Sequence, residues 1–70
     1  MNTVAFPTQQ FRLLKATEVA NHLNISRAMA YRLMQKGRIR TVQIGSARRV
    51  RHVDLQGYIE NNLTPAVVEK

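Results

Sequence analysis

Residues 16–37 read ATEVANHLNISRAMAYRLMQKG, and the spacing of their apolar positions decides the architecture. Ala16, Val19, Ala20 and Leu23 recur at i, i+3, i+4 and i+7, which puts them on one face of a helix. The spacing predicts a helix from about Thr17 to Leu23, with Glu18 in the first turn where the helix dipole favours an anion. Asn24 is expected to end it, because asparagine tolerates the left-handed conformation better than most residues. Ile25 follows as an apolar plug. Ser26 has the side chain of an N-cap, and the helix it opens is expected to end near Lys36 with Gly37 as its stop. On that second helix Met29, Ala30, Leu33 and Met34 share one side, while Arg27, Ala28, Tyr31, Arg32 and Gln35 share the other.

Outward from this pair, the period changes from helical to two. In Thr41-Val42-Gln43-Ile44, Val42 and Ile44 are expected to point inward, as in a half-buried strand. Gly45-Ser46-Ala47 reads as a turn. Arg49-Val50-Arg51 alternates again with Val50 inward, giving a β-hairpin whose cationic tip is Arg48 and Arg49. A third helix is predicted next, with Asp54 in its first turn and Leu55, Tyr58, Ile59 and Leu63 on its buried side. Gly57 weakens that helix by about 1 kcal/mol relative to alanine. The apolar set Val19, Leu23, Met29, Leu33, Val42, Ile44, Val50, Leu55 and Ile59 reads as core. Two short helices joined by about three residues match a helix-turn-helix. The expected fold is therefore mainly α with a small β-hairpin, a winged helix-turn-helix over residues 11–63. Residues 1–10 read as a flexible arm, partly pinned by Phe6 and Phe11, and residues 64–70 as a flexible tail after a proline stop.

Composition narrows the partner. The chain has 70 residues, enough for one small domain, and 44% of them are hydrophobic. It has no cysteine, which excludes disulfides and cysteine-based zinc sites. Eleven Lys and Arg against four Asp and Glu give a net charge of +7, and the pI is about 11.3. So large an excess on so small a body points to a polyanionic partner. No apolar run approaches the ~18 residues that span a bilayer. The opening MNTVAFPTQQ has no basic start followed by an apolar stretch, so no signal peptide is expected and the protein is placed in the cytoplasm.

The stretch from Leu13 to Leu63, LLKATEVANHLNISRAMAYRLMQKGRIRTVQIGSARRVRHVDLQGYIENNL, resembles the excisionase-type, MerR-like DNA-binding domains. In phages these proteins are recombination directionality factors. The shared pattern is a leucine pair (Leu13, Leu14), Thr17 with Val19-Ala20, a short turn, and Ser26-Arg27 closely followed by Tyr31-Arg32. Gly37, a strand, a basic wing and an Asp54-Leu55…Tyr58-Ile59 helix complete it. Ala20 stands where close helix approach wants a small residue. Asn24 stands where glycine is usual, and Ala30 where valine or isoleucine is usual.

In a winged helix-turn-helix the second helix enters the major groove with its N-terminal residues on base edges. That assigns Ser26, Arg27, Ala28, Tyr31 and Arg32 to the major groove, with Ser26 also capping its helix. Lys36, Arg38 and Arg40 are assigned to the DNA backbone, and Arg48, Arg49 and Arg51 to the wing and a minor groove. Arg12 and Lys15 are read as solvent-exposed. His22 and His52 lie 30 residues apart along the chain with no third ligand in pattern, so neither metal nor cofactor is expected. No paired carboxylates, phosphate loop or nucleophile constellation is legible, so catalysis is not expected. The resemblance implies an accessory factor that binds and bends attachment-site DNA, cooperatively with neighbouring copies of itself. It implies a tyrosine or serine integrase as partner, in a bacterial host cell on the nucleoid. No long C-terminal helix for a coiled-coil dimer is expected. The other readings are an AlpA-like transcriptional regulator of a prophage or mobile element and an RNA-binding module. The arginine-rich strands lack the stacking aromatics that would favour RNA.

Overall fold

A computed structural model describes residues 12–66. The arm expected over residues 1–10, the pins Phe6 and Phe11, and residues 67–70 of the tail lie outside them. Among the described residues, three helices and a two-stranded hairpin follow one another: α1 (Ala16–Leu23), α2 (Arg27–Gln35), β1 (Val42–Ile44), β2 (Ala47–Arg49) and α3 (His52–Asn61). The fold is a winged helix-turn-helix.

The two helices of the motif end in the same way. Asn24 takes φ 57 and ψ 46, and its amide donates to the Asn21 carbonyl at 3.3 Å while the Ile25 amide donates to Ala20 at 3.0 Å. After α2, Gly37 takes φ 74; its amide donates to Met34 at 3.2 Å and that of Arg38 to Leu33 at 2.9 Å. Each is a left-handed residue closing a six-to-one bond, the arrangement that satisfies orphaned carbonyls at a helix end. Asparagine does at the tight turn what glycine does after α2. At the other end of α2, the Ser26 hydroxyl accepts from the Met29 amide at 3.0 Å, so the expected N-cap is present.

The core joins Leu14, Val19, Ala20, Ala30, Met34, Ile39, Val50 and Leu55, with Leu23, Ile25, Leu33, Tyr58 and Ile59 packed against it. Leu14 and Val50 exchange both backbone hydrogen bonds, at 2.7 and 2.9 Å, in an isolated antiparallel bridge. This bridge ties the approach to α1 onto the end of the wing.

Several expectations need correction. Met29 is 48% exposed and Ile44 55% exposed, and Val42 is only half-buried. Among the described residues the sheet has two strands only, so alternation along β1 does not mean burial. Ile39 is the residue that goes inside, at 1% exposure. Leu63 follows the end of α3 and is 70% exposed. In the hairpin Val42 pairs with Arg49, Gln43 with Arg48 and Ile44 with Ala47. The turn is therefore Gly45-Ser46 alone, and Arg48 and Arg49 stand on the return strand rather than at the tip. A positive φ at the first turn residue, 58° at Gly45, is the pattern of a two-residue hairpin loop with glycine leading.

Candidate nucleic-acid interface

The exposed side of α2 carries Arg27, Ala28, Tyr31 and Arg32, because Ala30 and Met34 turn the opposite side into the core. Its first turn opens onto a shallow groove of about 440 Å³. Lys15 and Thr17 from the start of α1 form one wall, Arg27, Ala28 and Tyr31 a second, and Arg49 of the hairpin a third. Four of the expected DNA-contacting residues thus converge: Arg27, Ala28, Tyr31 and Arg49. Lys15 and Thr17 join them, although the sequence reading left Lys15 in solvent and passed over Thr17. They stand at the far end of α1 from the tight turn, so no sequence spacing marks them, and they become neighbours of Arg27 and Arg49 only once the helices are packed.

The other expected residues are placed differently. Ser26 is an exposed cap at the head of α2, and Arg32 and Lys36 lie exposed further along. Arg48 stands opposite Gln43, while the Arg49 guanidinium donates to the Arg48 carbonyl at 3.1 Å. Arg51 belongs to α3 as its N-cap residue. Its guanidinium donates to both oxygens of Asp54, at 2.6 and 2.9 Å. Arg38 and Arg40 border a separate groove against α3.

Electrostatics sort the cations by availability. The Lys15 amide donates to Glu18 at 2.9 Å, and Arg12 pairs with the same carboxylate at 2.6 Å. The amide first and the guanidinium second hold Glu18 below the usual carboxylate range. The paired hydrogen bonds from Arg51 do the same to Asp54, and they raise Arg51 in turn. Arg12 and Arg51 are therefore committed within the chain. Lys15, Arg27, Arg32, Lys36, Arg38, Arg40, Arg48 and Arg49 have no carboxylate partner among the described residues. Such unpaired cations can displace counterions from a phosphate backbone.

His22 and His52 meet edge to face, ring centroids 5.8 Å apart. No group of three or more metal-ligating side chains is present among the described residues. No helix among them is long and apolar enough to cross a membrane.

A family model described as a helix-turn-helix domain matches residues 13–63, well over half of the chain. No curated protein matches the chain, and no solved structure does.

Proposed function

Because the chain belongs to the helix-turn-helix domain family, a family of DNA-binding modules, we propose that it is a sequence-specific accessory factor for site-specific recombination. In this reading α2 lies in the major groove of attachment-site DNA. Arg27 or Arg32 grips guanine through O6 and N7, a bidentate contact worth about 1–3 kcal/mol of discrimination. Ala28 and Tyr31 face neighbouring bases or the sugar–phosphate chain. Arg48 and Arg49 reach the flanking minor groove, where arginine is attracted by the negative potential. Lys36 and Lys15 hold the backbone. Arg51, expected on the wing, is left to its helix, and Arg38 and Arg40 are left out of this surface because they border the other groove. Neighbouring copies bind adjacent sites, bend the duplex and help a tyrosine or serine integrase to excise in preference to integrating. The cytoplasm of the bacterial host is the compartment such a role requires.

The observation that carries the DNA assignment is the convergence of Lys15, Arg27, Tyr31 and Arg49 on one groove at the head of α2. The excision assignment rests on the sequence resemblance from Leu13 to Leu63. An in vitro recombination assay with the integrase of the same element tests it, comparing excision and integration with and without this protein. Excision that depends on the protein, with integration inhibited, is the expected result. Specific DNA binding without either effect would move the role to transcriptional control.

A further inference from the structure

A second groove, of about 420 Å³, lies between residues 37–40 and α3, and it shares no lining residue with the groove at the head of α2. Ile39 is driven into the core, which leaves Arg38 and Arg40 exposed on either side of it, and both border the groove. Across from them stand Val53, Asp54, Gly57 and Tyr58 of α3. Both oxygens of Asp54 already accept from Arg51; Arg40 acts on that carboxylate only through space, so one carboxylate stands against Arg38, Arg40 and Arg51 together. Val53 is 64% exposed at the rim, and Tyr58 packs against the core. Glycine weakens a helix interior relative to alanine, yet a Cβ at Gly57 would meet nothing within 4 Å and its φ is not positive. Neither backbone nor packing requires glycine there. What its missing side chain leaves is open space in the groove.

We propose that this groove docks an acidic, partly apolar peptide segment of a partner protein. The peptide's carboxylates lie on Arg38 and Arg40, and an apolar side chain lies over Gly57 beside Val53 and Tyr58. Charge complementarity selects an acidic occupant, since the groove's one carboxylate is already paired. A duplex is too broad to enter a groove of this size, and exposed Val53 at the rim has no counterpart on a phosphate backbone, whereas an extended peptide with one apolar side chain among its carboxylates matches both. Guanidinium groups suit carboxylates in particular because their donors form a planar fork.

The test uses the full chain and a short fluorescein-labelled peptide rich in glutamate with interspersed leucines. Amide chemical shifts map its seat, and anisotropy gives its affinity. Two charge-matched double variants separate the surfaces: Arg38→Gln with Arg40→Gln, and Arg27→Gln with Arg49→Gln. The expected shifts fall on residues 37–40 and on α3. The first pair weakens the peptide by about tenfold or more while duplex DNA affinity changes by less than about twofold, and the second pair does the reverse. Gly57→Leu should raise the melting temperature and weaken the peptide, opposite signs that a folding defect cannot produce. The proposal is overturned by shifts on Arg27 to Tyr31, by equal loss in both pairs, or by absence of saturable binding. It is also overturned if the first pair lowers DNA affinity and flattens its salt dependence, which makes those arginines backbone contacts. If instead the second pair leaves DNA binding intact, the DNA surface fails and the groove stands.

Discussion

Arg49 and Arg51 are two residues apart and face different tasks, which no alternation of charge along the strand distinguishes. Arg49 reaches the groove at the head of α2, whereas Arg51 is occupied by Asp54. The sequence shows both as outward cations. Only the start of α3, which brings Asp54 within reach three residues on, separates them. Arg49→Ala is expected to weaken binding to cognate and random duplexes alike and to make the salt slope shallower by about 1. Arg32→Ala is expected to relax preference at one base pair, by about 1–3 kcal/mol in competition binding. Equal effects of Arg32→Ala on cognate and random DNA would remove α2 from the major groove. Asp54 carries a prediction of its own. A carboxyl whose pKa falls on folding adds stability above its unfolded pKa and loses it as pH falls through the folded one. Melting temperature should therefore hold from neutral pH to about pH 5 and decline below about pH 4. Asp54→Asn should lower the plateau by a few degrees and make that acid decline shallower.

At the level of elements, helices were the legible part. A 3.6-residue period, an N-cap and two left-handed stops are local features, and α1 and α2 lie within a residue or so of where they were expected. Ser26→Ala is expected to cost about 1 kcal/mol of stability in denaturant unfolding. DNA affinity measured well below the melting temperature separates the two roles expected of Ser26: no change leaves it as a cap alone, and a loss adds a DNA contact. The hairpin was legible in kind but not in register. Three turn residues and two turn residues differ by one position, and the pairing of Ile44 with Ala47 decides between them. Burial along β1 was misread because period-two alternation reports a face, not what covers it. Ile39 escaped notice between two arginines, since a core position in a connecting segment has no periodic neighbours to announce it.

For the whole molecule, net charge overstates what DNA meets. Of the eight cations without a carboxylate partner among the described residues, Arg38 and Arg40 face the α3 groove. Lys15, Arg27, Arg32, Lys36, Arg48 and Arg49 remain for the duplex, so log K against log salt should have a slope no steeper than about −5. A slope near −7 would return both arginines to the backbone. This division could not be read from composition, which counts charges without saying which side they occupy.

The bridge between Leu14 and Val50 has a mechanical corollary. Two backbone hydrogen bonds join the threshold of α1 to the base of the hairpin, so on the proposed reading α2, packed on α1, and the hairpin would act as the fixed jaws of a gauge. A duplex that does not already match the gap must do the deforming, and steps that unstack easily deform most cheaply. Base pairs lying between the jaws, touched by no side chain, would on that reading be selected by their pliancy.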